Sequence, residues 1–324
     1  MTNAHVSDAP VLPFTAWYGL PQGRATCSLT AFSPPSLDIP ESRSLHPATD
    51  KVNRCPDLVF LVRHSSTGKT ALFDLGLAPK WSETVSGEHA SSYDETFAPR
   101  VEAGLDEVLA NAGVKADEVD TVVLSHHHLG HTGNVSLFPR ARIVVGPPAK
   151  DEIPSLDFLG PRVHELSWHH SPTRIATFEH SHDVWGDGSL LVVPLPGHTA
   201  GHVGALVRTQ PPSEDSDGEY VLLAADAAHH PALLRDPRAN EPRYSIGRWR
   251  HVDEPVSVLP RHSMHDDYVQ AEQTLERVKA LARREEVMIV VAHDFAAWGR
   301  WGGWHRGLEG VELGEWKKKG MKTQ

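Results

Sequence analysis

Cysteine is almost missing from this chain: Cys27 and Cys55 are the two present in 324 residues. One pair cannot hold a domain of this size together, so a disulfide-stapled secreted scaffold is ruled out and a reducing, cytoplasmic setting is expected. Long apolar runs are missing too. No stretch reaches the ~18 to 20 residues that a membrane-spanning helix needs, so no membrane partner is expected. The opening residues MTNAHVSDAP contain neither a basic segment nor an apolar one, which argues against a secretory signal there. Positive charge is scarce: 31 Lys and Arg stand against 42 Asp and Glu, a net charge of −11. A surface of that sign does not track nucleic-acid backbone, so no nucleic-acid partner is expected. Oligomeric state has no signature in the sequence.

Hydrophobic residues make up 40% of the chain, enough for a sizeable core. The first 56 residues are rich in Pro and Ser (SPPSLDIPESRS) and read as an irregular covering segment with one strand near Thr26 to Phe32. DLVFLVRH (57–64) and TALFDLG (70–76) are strands by their β-branched and apolar content, and the turn residues SSTG join them into a hairpin. Val101, Leu105, Val108 and Leu109 lie at helical spacing and predict a helix that ends at Gly113. DTVVLS (120–125) and ARIVVG (141–146) are two more strands. The second half repeats these element types, with strands at SLLVVPLPG (189–197), HVGALVRT (202–209) and YVLLAAD (220–226). Residues 266–286 form an amphipathic helix with Val269, Leu275, Val278 and Leu281 inward, and VMIVVAHD (287–294) is the last strand. A Pro- and Arg-rich insertion occupies 229–265, and the tail EWKKKGMKTQ reads as a solvated basic end. No linker-like stretch divides the halves. The expectation is one α/β (α+β) domain over 1–324, two packed sheets with helices outside; the hairpins oppose an all-parallel sheet.

What the chain has in excess is histidine, 22 in all. Many of them, His169, His170, His180 and His182 included, read as surface residues, so spacing has to carry the argument. The segment LSHHHLGHTGN (124–134) places four imidazoles within six positions at the end of a strand. His126 and His128 alternate along an extended chain and can face one ion. His131 follows a turn through Gly130 and can face a second, while His127 points away. Three later strand ends carry ligands of the same kind: His198 in PLPGHTAGH, Asp226 in LLAADAAHH and His293 in VVAHDF. An isolated histidine at a strand end is ordinarily structural; this ordered set has the donor chemistry of a metal centre.

Those residues resemble the metallo-β-lactamase superfamily over about residues 57–295. Its His-x-His-x-Asp-His motif is matched by His126-His127-His128-Leu129-Gly130-His131. The phrases HDVWGDGSLLVVPLPGHTAGHVGAL and LLAADAAHHPALLR resemble a fungal branch related to lactonases and lactam-opening hydrolases. The resemblance implies a four-layer αβ/βα sandwich with metal at its edge. It also implies that His126, His128 and His198 hold one ion, that His131 and His293 hold another, and that Asp226 bridges them. Zinc, as one ion or two, is the implied cofactor, and the donor set suits manganese or iron as well. The implied reaction opens a lactone, a lactam or a related small-molecule ester by attack of metal-bound hydroxide, with Asp226 or a metal-bound water as the proton donor and a place in secondary metabolism. Where lactonases of the family carry a tyrosine three residues after the bridging Asp, this chain has His229, an imidazole able to polarise the substrate carbonyl.

Gly130 departs from the motif, which has a carboxylate there. Three outcomes stay open: a single ion; two ions, with water or a residue such as His229 or Asp294 filling the gap; or a non-hydrolytic, ligand-binding protein. On the view that a carboxylate is lacking, Gly130→Asp should raise occupancy of the second position. A thioester hydrolase acting on an acyl-carrier or glutathione conjugate is the other enzymatic reading. It is favoured if Arg235, Arg238, Arg243, Arg248 and Arg250 line a basic groove. HSSTGKT (64–70) is no phosphate loop, since a strand rather than a helix follows it. The Trp-rich FAAWGRWGGWHRG (295–307) reads as core or covering.

Overall fold

Consecutive residues of a strand point to opposite faces, and in this chain both faces are apolar. Along Val59–His64, Phe60 and Val62 join one buried cluster while Val59 and Leu61 join another. Along Leu190–Pro194, Leu190 and Val192 face the first cluster and Leu191 and Val193 face a third. Such strands need cover on both sides, and that need sets the architecture. The computed structural model describes residues 16–148, 156, 160–168, 173–249, 262–306 and 308–324. Two sheets face each other across the cluster that contains Leu29, Phe60, Val62, Val123, Ala205, Leu223 and Val290. Helix Tyr268–Ala282 covers the outer face of one sheet through Ala271, Leu275, Val278 and Leu281. Helix Leu105–Asn111 covers the other through Leu105, Val108 and Leu109. This is the expected αβ/βα sandwich.

The larger sheet has seven strands in the spatial order Val163–Glu165, Arg142–Val145, Thr121–Leu124, Thr70–Phe73, Val59–His64, Cys27–Phe32 and Val311–Glu312. The smaller has five: His182–Asp183, Leu190–Pro194, Val203–Gln210, Glu219–Ala225 and Val287–Val291. The hairpin is antiparallel, with Arg63 opposite Thr70. Thr70–Phe73, Thr121–Leu124 and Arg142–Val145 run parallel, and so do Glu219–Ala225 and Val287–Val291. The carboxyl ends of these strands gather at one edge of the sandwich, which is where open sheets of this kind expose polar side chains.

Local expectations fail where apolar periodicity is masked. Residues 16–56 are not mainly irregular: Pro35–Pro40 pairs with Val52–Pro56 on one side and with Arg100–Val101 on the other. Their prolines stand at strand ends, where a missing N–H is tolerated, and Leu37 and Ile39 alternate inward. Residues 1–15 lie outside the described residues. Val101 is in a strand rather than the helix, which starts only at Leu105 after Gly104. Helix Gly87–Phe97 was not readable, since none of its residues is buried and its sequence GEHASSYDETF has no apolar stripe. Val269 is 64% exposed, and Ala271 occupies the inward position instead. The basic tail is anchored, with Trp316 only 1% exposed inside the central cluster. Trp298 and Trp301 are core, as expected, while Trp304 is exposed. His169, His170, Arg250 and residues 251–261 of the insertion lie outside the described residues. Among those described, no helix is long and apolar enough to cross a membrane.

Candidate metal centre

Every residue expected at the site comes to the same sheet edge. His126 and His128 follow strand Thr121–Leu124, and His131 rises from the short helix Leu129–Thr132. Asp226 and His293 follow Glu219–Ala225 and Val287–Val291. His198 lies on the loop between Leu190–Pro194 and Val203–Gln210. Potential ligand atoms of His126, His128, His198 and Asp226 lie within 4.8 Å of one another. His198 Nε2 is 3.1 Å from His126 Nε2 and 2.9 Å from His128 Nδ1. One nitrogen carries at most one proton, so two such close contacts on it fit lone pairs aimed at a shared cation better than two full hydrogen bonds. Burial holds His126 and His198 well below the ordinary histidine range and pushes His128 down to about 3, so the three stay neutral and able to ligate.

Asp226 stands between this group and a second. Its Oδ2 is 3.4 Å from His198 Nε2 and 3.3 Å from His131 Nε2, and its Oδ1 is 3.5 Å from His293 Nε2. Asp226 thus lies within 3.5 Å of imidazoles from both groups. Burial alone would raise its pKa, but the imidazoles of His131, His293 and His229 outweigh that and hold it well below the carboxylate range. His229 Nε2 lies 3.1 Å from Asp226 Oδ2. It is 1% exposed and is not among the side chains that line the cavity described below.

Several residues that sequence reasoning missed hold these side chains in place. Asp74 Oδ2 accepts from His131 Nδ1 at 2.7 Å and from Ser125 Oγ at 2.8 Å. Ser125 Oγ in turn meets His126 Nδ1 at 2.9 Å. His293 Nδ1 donates to the Pro56 carbonyl at 2.9 Å, which turns Nε2 toward the site. His202 Nδ1 donates to the Leu195 carbonyl, leaving Nε2 to accept the Asp226 backbone N–H at 3.1 Å. The loop of His198 is docked on helix Tyr268–Ala282: Asp267 N donates to Gly197 O and Asp266 N to His198 O, both at 3.0 Å. Gly197 has φ +125°, and a Cβ there would fall 2.3 Å from Ala271 N, so only glycine fits. Asp74 could have been found, since it ends a strand as Asp226 does. His265, from the end of the insertion, has its ring 5.1 Å from that of His198 and 4.9 Å from that of His229, and nothing in its local sequence signalled this.

The open end of the site is a cavity of about 540 Å³. His128, His131, His198, Asp226 and His293 form part of its wall, and Leu37, Ile39, Val85, Tyr93, Phe97, Leu129 and Met264 form an apolar part. His127 also lines it, outside the ligand groups. No lysine or arginine is among the described lining residues. Arg235 closes on Glu241 at 2.6 Å and Arg248 lies over the Tyr268 ring at 4.3 Å, so these two do not supply the basic groove that would favour the thioester reading. Asp294 accepts the Ala297 N–H as a helix cap and joins neither ligand group. The side of residue 130 is not short of a carboxylate either, because the atoms nearest a Cβ built there belong to Asp57.

The family model described as the metallo-beta-lactamase superfamily matches residues 52–207. A metallo-hydrolase from Annulohypoxylon moriforme is 30% identical over 276 residues, covering 74% of this chain and 70% of that one. A gamma-lactamase from Fusarium pseudograminearum is 26% identical over 285 residues, covering 74% and 66%. Some curated relatives are much longer, and the chain spans about a third of their length. Among solved structures, an AiiA variant from B. thuringiensis, with N-decanoyl-L-homoserine bound at its active site, superposes with a TM-score of 0.59. It is 18% identical, and the match covers 86% of this chain and 96% of that one.

Proposed function

Because the chain belongs to the metallo-β-lactamase superfamily, we propose that it is a metal-dependent hydrolase that opens a lactone, a lactam or a related small-molecule ester. The observation that carries this reading is Asp226 lying between two imidazole groups in the wall of an apolar cavity. A divalent ion held there, zinc by preference although the donors also suit manganese and iron, supplies polarisation of a carbonyl and a lowered pKa for water. The chain's own residues do the rest. Leu37, Ile39, Phe97 and Leu129 seat an apolar ring and exclude bulk water. Asp226 enters as a carboxylate whose buried Oδ1 has no hydrogen-bond donor, so it can take a proton from the attacking water and return it to the leaving heteroatom. His229 acts behind Asp226, holding that charge rather than touching the substrate carbonyl. An acyl-carrier or glutathione thioester would bring negative charge to a wall without a described lysine or arginine, so the ring-opening reading is preferred. The two buried free thiols fit a reducing compartment, and we place the activity in cytoplasmic secondary metabolism.

The test is a panel of apolar γ-lactones, γ-lactams and acyl thioesters, with metal content measured on the same preparation. Ring opening that is lost in chelator and restored by zinc is the expected result, with thioesters slower. Fully loaded protein that opens no ring, or turnover indifferent to chelator, overturns the proposal.

A further inference from the structure

Resting on that metal-dependent reading, we propose that Asp57 is the carboxylate ligand of the second metal position, occupying from another strand the place that residue 130 leaves free. Gly130 has no left-handed backbone that would require glycine, so the informative feature is what stands beside it. A Cβ at 130 would lie 3.3 Å from Asp57 Oδ2, 3.4 Å from Oδ1 and 3.6 Å from Cγ. All three nearest atoms belong to one carboxylate. Asp57, His131 and His293 also bring their potential ligand atoms within 4.8 Å of one another.

The Asp57 side chain is held for this task. The residue is 0% exposed. Oδ2 accepts the Leu77 N–H at 3.1 Å, while Oδ1 is buried with no hydrogen-bond partner. A carboxylate taken out of water must be compensated, and the imidazoles of His131 and His293 stand beside this one. The backbone fixes where it points: Asp57 N donates to Ser33 Oγ at 3.1 Å, and Leu58 N donates to the Ala292 carbonyl at 3.1 Å. The preceding carbonyl, of Pro56, accepts from His293 Nδ1. One short stretch therefore sets Asp57 and His293 side by side. It runs antiparallel to Thr70–Phe73, so its entry end lies at the same edge as the carboxyl ends of the parallel strands.

The test compares zinc stoichiometry and affinity, by elemental analysis after equilibrium dialysis, in wild type, Asp57→Asn, Gly130→Asp and the double variant Asp57→Ala/Gly130→Asp. Asp57→Asn keeps the shape and the Leu77 hydrogen bond. Two equivalents are expected in the wild type, and in Asp57→Asn the second should weaken by about 100-fold or more while the first is unchanged. Gly130→Asp alone crowds two carboxylates and should lower second-site occupancy. The double variant should regain the second equivalent, and it decides the matter even if Asp57→Asn does not fold. Two tight equivalents in Asp57→Asn, or a double variant that folds yet binds one, overturns the role of Asp57 and leaves the hydrolase reading standing. Wild-type protein that binds no metal overturns both.

Discussion

His131 shows how one side chain is aimed. Its Nδ1 sits 2.7 Å from Asp74, and an ionised carboxylate only accepts, so Nδ1 carries the proton and Nε2 turns its free face to Asp226. Asp74→Asn would present an amide N–H to Nδ1, reverse the tautomer and put the proton on the nitrogen that faces the site. Affinity for the second ion should fall about 10- to 100-fold, as read by competition with a chromophoric chelator. A variant that holds metal as tightly as the wild type would show that the carboxylate does not set the tautomer. The six ligand-type side chains were legible because each follows an apolar strand or continues the cluster that does. Asp57 was not legible by that rule, since it precedes its strand instead of ending it. Its role is written in the space beside Gly130, which is a three-dimensional fact. The sign expected for Gly130→Asp reverses for the same reason: residue 130 faces a place already filled.

At the level of elements, strands covered on both faces were the easiest to read, because continuous apolar runs such as VMIVV have few alternatives. Elements with little buried surface escaped, Gly87–Phe97 foremost. The tail misled in the opposite direction. Its three lysines at 317–319 suggest a solvated end, yet Trp316 packs in the central cluster and Gln324 exchanges hydrogen bonds with both backbone groups of Ile289. Trp316→Ala should therefore cost about 3 to 5 kcal/mol of stability, measured by denaturant unfolding. A loss under about 1 kcal/mol would mean the tail lies outside the cooperative unit.

On the scale of the molecule, the ligand-type side chains come from both sheets. His126, His128 and His131 follow the seven-stranded sheet, while His198, Asp226 and His293 belong to the five-stranded one. An ion bound across them ties the two layers together, so its binding energy adds to folding energy. Saturating zinc at about a thousand times its dissociation constant should stabilise the protein by about 4 kcal/mol, and chelator should lower the melting temperature reversibly. Calorimetry with and without chelator checks this; coincident transitions would show that the layers do not share the ion. The anchoring of His198 bears on how such a molecule can change. Gly197 and Ala271 meet backbone to backbone, leaving no room for a side chain between loop and helix. The spacing there is set by peptide atoms alone, so a lineage can exchange the apolar residues beneath the helix and still inherit the imidazole in its working position.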